Sequence, residues 1–239
     1  CLLNLYFYAY SIQDKQDNMK KYILLLLICL KTPTSFAHLK HNINLQNLQF
    51  DINRNGKYVG YHHVNFKWSK DGSLIVINNI KFSLKKFGIN FYEYRSQGVE
   101  KYDSSGQLVA FDSETDDNGK LKFCKIRQKG PKYKINGTNY DGFIKKPFRI
   151  SSYWNHDILT VSKQVSGITC RVIDQKVKFI KREKLKIMNQ VFNTIVYSIN
   201  GTKLNTLVWF DENTKMIVHQ VLHKKGKWNY KLKNYQIIK

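Results

Sequence analysis

Pairs of asparagine or aspartate followed by glycine recur along the chain and constrain its fold more than any other feature. Such a pair is the preferred centre of a type I′ turn, in which both central residues need a positive φ, so it predicts a tight β-hairpin. The pairs are Asn55-Gly56, Asp71-Gly72, Asn118-Gly119, Asn136-Gly137, Asp141-Gly142 and Asn200-Gly201. The pattern is densest at 91–120, where an aromatic strand, a short strand carrying Glu100, a turn at 104–106 and another strand precede the Asn118 turn. The sequence therefore predicts a succession of antiparallel hairpins.

Between these turns, polar and apolar side chains alternate with the period of two that is typical of half-buried strands. Along 57–68, Val64 and Phe66 belong to one face, while Asn65 and Lys67 belong to the other. The predicted strands are 48–54, 57–68, 74–84, 89–95, a short strand with Glu100, 107–115, 120–129, a short strand before Asn136, 140–145, 168–174, 176–182, 191–199, 203–210, 216–223 and 227–237. No segment shows three turns of helical periodicity. We therefore predict one all-β domain, an antiparallel meander of hairpins that forms a curved, partly or fully closed barrel.

The stretch 147–158 interrupts this rhythm. It begins with a proline, and 151–157 (SSYWNHD) lacks strand alternation, which indicates a loop or a single helical turn. Because strands alone do not cover the inner face of a curved sheet, the stretch is predicted to fold over the concave side as a plug. Trp154 is then expected to be buried against the C-terminal strands, near Trp209 or Tyr230.

The N-terminal region carries the pattern of an export signal. Met19 is followed by two lysines, an apolar run at 22–30 and small residues at Ser35 and Ala37, which together are typical of a signal peptide cleaved after Ala37. The apolar run is too short to cross a bilayer as a helix. The expected divisions are 1–18 as a mis-assigned upstream extension, 19–37 as the signal peptide, 38–47 as a lead-in and 48–239 as a single β domain. The expected location is the periplasm, with the extracellular space as the alternative.

Two cysteines, Cys124 and Cys170, remain after this cleavage. Export to an oxidising compartment makes a disulfide between them chemically possible. The alternative is two separate buried thiols, since the sequence alone does not bring their Cα atoms within bonding range.

The chain is strongly basic, with a net charge of +23, which favours anionic partners. Outside the cytoplasm these are lipid headgroups or polyanionic sugars, and no nucleic-acid partner is expected. One basic run could dock on an anionic membrane surface; its cations are Lys176, Lys178, Lys181, Arg182, Lys184 and Lys186. The alternative is a solvated outer strand face whose charges oppose aggregation.

Motifs of known chemistry are absent from the sequence. It has no Gly-x-Ser-x-Gly, P-loop, dinucleotide-binding or Cys-x-x-Cys pattern. The acidic stretch 112–119 does not continue as a calcium loop, because Lys125 stands where the bidentate glutamate belongs. On a strand, His219 and His223 would lie about 13 Å apart, too far to share a zinc ion. No metal, cofactor or catalytic residue is therefore predicted.

Several of these elements together resemble an uncharacterised family of exported bacterial proteins, known only as a domain of unknown function. The resemblance runs from about Phe50 to Leu232 and starts with the opening FDINRNGKYVGYHHVNF. Its other elements are Tyr94, Glu100, Leu108, Thr115 with Asn118-Gly119, Tyr153-Trp154-Asn155 and Trp209-Phe210-Asp211. The family supplies no established activity. A more distant analogy of fold is to the half-open β-barrels of periplasmic lipoprotein and lipid carriers.

Three functions are compatible with this pattern. The leading hypothesis is a non-enzymatic binding or carrier module for an apolar or amphipathic ligand, with a site drawn from Tyr94, Glu100, Tyr153, Trp154, Asn155, Trp209 and Tyr230. A hydrolase-like enzyme would need Glu100, a tyrosine such as Tyr94 and a histidine such as His156 to meet in space. A structural envelope protein would have a solidly packed interior without ligand. Convergent titratable groups would favour the enzyme, and an apolar concavity would favour the carrier.

Overall fold

The computed structural model describes residues 44–238, whose strands form one 15-stranded sheet. The first eight strands are β1 (Leu45–Arg54), β2 (Lys57–Trp68), β3 (Leu74–Lys86), β4 (Ile89–Tyr102), β5 (Leu108–Asp117), β6 (Lys120–Lys129), β7 (Lys132–Gly137) and β8 (Tyr140–Lys145). The remaining strands are β9 (Arg149–Ile150), β10 (Lys163–Val165), β11 (Val172–Ile187), β12 (Gln190–Gly201), β13 (Leu204–Asp211), β14 (Ile217–His223) and β15 (Lys227–Ile237). The predicted all-β fold class is confirmed. The signal peptide, the upstream extension and most of the predicted lead-in lie outside the described residues.

Almost every strand pairs with its neighbours in sequence. The order across the sheet runs from β8 back to β1, then from β15 back to β9, so that the first and last long strands meet in the middle. Every pair is antiparallel except β9 with β10. The sheet is curved but not closed, because β8 and β9 are its two edges and do not pair with each other within 44–238.

Two contacts join the regions near these edges. The Sγ atoms of Cys124 on β6 and Cys170 after β10 form a disulfide, with Cα atoms 4.8 Å apart. The backbone N–H of Asn139 donates to the carbonyl of Thr169 over 2.9 Å. The gap left by the missing strand pairing is thus bridged by a covalent bond and a hydrogen bond.

The Asn-Gly signal has two different structural outcomes. At Asn55-Gly56 and Asn118-Gly119 both residues have positive φ and form the predicted hairpin turns. Gly137 and Gly201, in contrast, end β7 and β12, and the turns lie one or two residues further on. A Cβ on Gly137 would lie 2.4 Å from the Cβ of the disulfide-bonded cysteine at 170, and one on Gly201 would lie 2.2 Å from the carbonyl oxygen of residue 174. At these two positions a glycine is therefore needed because another segment of the chain passes too close for a side chain to fit.

In two places the sequence predicts two short strands where the structure has one long strand. Residues 89–95 and the short strand of Glu100 are both part of β4, which pairs with β3 along its whole length. The predicted strands 168–174 and 176–182 give way to β11, which starts only at Val172 and passes a β-bulge between Phe179 and Lys181. Long-range ladder pairing carries these strands through residues whose local pattern is irregular.

The plug at 147–158 lies on the concave side. It contains β9, a turn and the start of a 3-10 helix (His156–Thr160), which Asn155 caps by accepting a hydrogen bond from the backbone N–H of Asp157 at 2.9 Å. Its side chains belong to the main core, whose largest fully buried members are Trp154, Tyr133, Phe210, Leu48, Ile52, Leu74, Ile126, Ile135, Ile158, Ile187, Ile199 and Leu232. Across 44–238, the structure contains no helix with the length and apolarity needed to traverse a bilayer.

Candidate binding site around the plug

Trp154 is the centre of the plug. Only 2% of its surface is exposed, so its predicted burial is confirmed. Its ring makes edge-to-face contacts with Phe66 on β2 and Tyr102 on β4, at centroid distances of 5.3 and 5.7 Å. The expected packing of Trp154 against the C-terminal strands is therefore only partly confirmed. Its aromatic partners come from the N-terminal half of the chain, and Tyr230 lines the same crevice as Trp154.

Glu100 is the polar anchor of this plug. Its wholly buried carboxylate accepts a hydrogen bond from Trp154 Nε1 at 2.9 Å, from Asn78 Nδ2 at 3.1 Å and from the Tyr102 hydroxyl. Burial raises the pKa of Glu100, and the donated hydrogen bonds, which favour the charged form, oppose that rise. Burial first, and then the charge of Glu100, also raises the pKa of Tyr102 well above its usual value. A buried carboxylate with this many donors is a structural tie between sheet and plug.

His62 extends the same network across a third strand. Its Nε2 lies 3.2 Å from Asn78 Oδ1. Because the Asn78 amide nitrogen donates to Glu100, its oxygen must accept, and His62 Nε2 therefore carries the proton. Burial lowers the pKa of His62 to about 4, so the ring is neutral at pH 7. The network connects β2, β3 and β4 to the plug.

A small crevice remains where the plug meets the middle of the sheet. Its volume is about 10 Å³, room for about one water molecule. It is lined by Phe50, His62, Val64, Ser152, Tyr153, Trp154, Ile217, Gln220 and Tyr230. An aromatic and aliphatic lining with a few polar groups is typical of sites for apolar or amphipathic ligands. The concavity is nearly filled in this conformation.

Two buried glutamines hold the chain that follows the plug. The Tyr153 hydroxyl donates to Gln164 Oε1 at 3.3 Å, and Gln164 Nε2 donates to Gln175 Oε1 at 2.8 Å. Gln175 Nε2 in turn donates to the carbonyls of Ile158 and Val161, at 2.7 and 2.9 Å. Burial raises the pKa of Tyr153 to about 12. Sequence reasoning missed both glutamines, because nothing in their flanking residues distinguishes them from exposed strand glutamines.

Tyr94 lies in a second, smaller hydrophobic cluster with Ile52 and Phe82. Its ring stacks on that of Phe82, with the ring centroids 4.7 Å apart. Tyr94 stands six residues before Glu100 on the same strand, a distance of about 20 Å. His156 packs edge-on against Phe210, with ring centroids 4.9 Å apart. Tyr94 is therefore too far from Glu100 to act with it. The tyrosine and histidine of the Glu100 network are instead Tyr102, which donates to Glu100, and His62, which reaches it through Asn78.

Trp209 faces away from the crevice. It pairs in register with His219, and His219 pairs with Lys231. Because paired residues share a face and successive residues alternate, Tyr230 must point to the opposite side of the sheet. Trp209 Nε1 donates to Glu183, and its ring lies 4.5 Å from that of His219. Of the seven predicted site residues, Tyr153, Trp154 and Tyr230 line the crevice, while Glu100 and Asn155 support the plug.

The predicted basic run occupies β11. This strand pairs with β12 along its length but with β10 only at Val172–Asp174, so the run lies on an exposed strand. Two of its cations form ion pairs, Lys181 with Glu183 at 2.7 Å and Arg182 with Glu212 at 3.0 Å. Within the described part of the chain, no group of three His, Cys, Asp or Glu side chains is placed to hold a metal ion.

A curved, incompletely closed antiparallel sheet with a plugged concave face defines a β-barrel-like protein. The chain belongs to the family described as a domain of unknown function, DUF6134, whose model matches residues 50–233. This agrees with the resemblance noted from the sequence.

A solved structure shares the fold. A crystal structure of a β-barrel-like protein of the domain of unknown function DUF1849 from Brucella abortus is similar with a TM-score of 0.61 and 8% identity, covering 82% of this chain and 98% of that one. A crystal structure of MucB matches with a TM-score of 0.33 and 9% identity, over 85% and 60% of the two chains, and carries no argument at that score. No curated protein matches the chain.

Proposed function

We propose that this protein is an exported, non-enzymatic binding or carrier module of the cell envelope, which takes an apolar or amphipathic ligand between the plug and the concave face. The observation that carries the proposal is the composition of the crevice. Apolar side chains such as Phe50 and Ile217 line it together with polar groups such as the Gln220 amide and the His62 ring, in similar measure. This is the balance by which proteins hold amphipathic small molecules.

Ligand entry requires the plug to move, because the crevice holds about one water molecule in this conformation. Three consecutive plug residues, Ser152, Tyr153 and Trp154, form one wall of the crevice. Outward displacement of this wall would join the crevice to the hydrophobic cluster of Ile52, Phe82 and Tyr94, against which Tyr230 already packs. The bound state is thus an opened form of the same interior, stabilised by the ligand's preference for it.

The arrangement of titratable groups supports binding rather than catalysis. Glu100 is wholly buried and bonded to Trp154, Asn78 and Tyr102, with the Ser152 side chain as a fourth partner, so it has no access to a substrate. His62 does line the crevice, but a pKa of about 4 makes it a weak base at neutral pH, and its Nε2 is bonded to Asn78. No pair of convergent acid and base groups reaches the crevice.

The sequence and the disulfide support export. The predicted signal peptide at 19–37 would direct the chain to the periplasm, where disulfides form and persist. The Cys124–Cys170 bond fits such a compartment. N-terminal sequencing of the protein from the envelope fraction of its host should give a chain that begins at His38, and a mature chain that retains Met19 would exclude the cleavage.

Native mass spectrometry of the protein purified from its own host tests the ligand. We expect an added mass of lipid size that disappears on delipidation and returns when a host lipid extract is supplied. Gln220→Phe should fill the crevice and reduce the retained mass, whereas Gln97→Phe, on the exposed side of β4, should leave it unchanged. If the wild-type protein neither retains nor recovers a ligand, the carrier proposal fails, and the nearly filled interior favours a structural envelope protein.

A further inference from the structure

The turn between β3 and β4 carries an aromatic residue where a turn residue is expected. Phe87 and Gly88 have φ values of 50° and 80°, the signs required at the two central positions of a type I′ turn. Asparagine or glycine is favoured at the first of these positions, since a bulky side chain is strained at positive φ. The Phe87 ring is 91% exposed, so packing does not compensate for this strain.

The hairpin behind this turn extends beyond the rest of the sheet. Pairing of β3 with β2 ends at Phe82, and pairing of β4 with β5 ends at Tyr94. Beyond those positions the two arms form ladder pairs only with each other within the described residues, and Glu93 alone keeps backbone bonds to the next turn, at Asn118. Along this two-stranded ribbon Ile89 is 72% and Phe91 55% exposed. A two-stranded ribbon in water is marginally stable, and exposed apolar side chains at its end add nothing to the core.

Basic residues surround the ribbon. Four neighbouring hairpin turns lie at the same end of the sheet, those of β1–β2, β3–β4, β5–β6 and β14–β15. They carry nine cations: Arg54, Lys57, Lys85, Lys86, Lys120, Lys122, Lys224, Lys225 and Lys227. The carboxylates at this end are those of Glu93, Asp116 and Asp117. Two further apolar side chains there are also exposed, Leu121 at 83% and Tyr58 at 60%.

From these features we infer that this end of the sheet is a docking surface for an anionic lipid membrane, with the Phe87 ring inserted among the lipids. Apolar side chains at a protruding tip, ringed by cations, match the two components of a membrane surface: an apolar interior and negatively charged headgroups. Lys86 illustrates the arrangement, with its Nζ 5.5 Å from the centre of the Phe87 ring.

The charge of this end selects a membrane over a second copy of the chain. Each turn end carries nine cations against three carboxylates, one of them paired with Lys122, so two identical ends brought together would repel each other, while an anionic surface neutralises the excess cations. This surface is separate from the plug and the crevice. Membrane docking is therefore tested independently of the proposed ligand, although docking on a membrane would suit a carrier of amphipathic molecules.

Vesicle flotation tests the inference, with all variants sharing the same N-terminus. The wild-type protein should float with vesicles that contain phosphatidylglycerol and much less with pure phosphatidylcholine, and binding should fall as salt is added. Phe87→Asn should weaken binding by about tenfold or more, because it removes one large apolar group from the lipid. The same change creates an Asn-Gly turn, so stability should be equal or higher. The double change Lys85→Gln and Lys86→Gln should weaken binding to the anionic vesicles alone, by about tenfold or more.

Phe179→Asn is the matched control, because Phe179 on β11 is 54% exposed and lies within the other basic run. It should bind vesicles as the wild-type protein does. Loss of binding in Phe179→Asn with full binding in Phe87→Asn would move the membrane contact to β11 and overturn the inference. Equal flotation of Phe87→Asn and wild type would also overturn it, as would sedimentation showing a dimer that Phe87→Asn disperses.

Discussion

Replacement of Trp154 decides whether the plug is a fixed part of the core or a loosely held lid. Trp154→Ala removes a ring that is 98% buried, its edge contacts with Phe66 and Tyr102, and the donor to Glu100. Truncation of a buried tryptophan costs about 3–5 kcal/mol through lost packing and the remaining cavity. The lost hydrogen bond adds to this, since the buried carboxylate of Glu100 then loses one of its donors. We expect a loss toward the upper end of that range.

Trp154→Phe separates the two contributions. It keeps most of the buried ring but removes the N–H that Glu100 accepts, so about 2 kcal/mol should be lost, the range for hydrogen bonds to charged groups. Trp228→Phe is the control, since Trp228 is only partly buried and its Nε1 donates to the carbonyl of Lys224 at the surface. That change should cost less than about 1 kcal/mol.

Urea denaturation followed by far-ultraviolet circular dichroism measures these losses, because it does not depend on the altered tryptophans. A double-mutant cycle of Trp154→Phe with Glu100→Gln should give a coupling of about 1 kcal/mol or more. A loss below about 1 kcal/mol for Trp154→Ala would refute the anchored plug. If ligand retention also fell, the segment would be a mobile lid instead.

Three further predictions follow from the structure. Replacing both Cys124 and Cys170 by alanine should lower the free energy of unfolding by about 4 kcal/mol, from the 46-residue separation of the two, measured in urea against the oxidised protein. The pKa of His62 is about 4 in the folded protein and 6.5 in the unfolded chain. The neutral ring therefore contributes to the free energy of unfolding fully above pH 6.5, and this contribution is lost as the pH falls toward 4. That loss is about 3 kcal/mol, and His62→Gln should reduce the difference in urea midpoint between pH 7 and pH 4.5, while His219, whose pKa is also lowered to about 4, keeps part of it. Gly60→Ala should lower the melting temperature clearly, because its Cβ would lie 2.1 Å from the Lys81 carbonyl oxygen; an unchanged melting temperature would contradict this packing.

The sequence by itself determined the hairpin architecture, because strand alternation and turn chemistry are local. The positive φ required at Asn55-Gly56 and Asn118-Gly119 marks two of the turns directly. The plug was predictable for the same reason, as the one segment whose local pattern departs from strands. The burial of Trp154 followed, since an aromatic residue in such a segment is most stable when it covers the concave face.

Only the tertiary structure decided which side chains meet. The register of β13, β14 and β15 puts Trp209 and Tyr230 on opposite faces, and only the pairing between these strands sets that parity. The role of Glu100 as the acceptor of the Trp154 indole depends on partners 54 residues apart. Gly137 likewise has the sequence signature of a turn, yet its function is to admit the disulfide across the open edge of the sheet. Local patterns specify strands and turns, whereas contacts between distant segments arise only when the sheet has curved and the plug has closed over it.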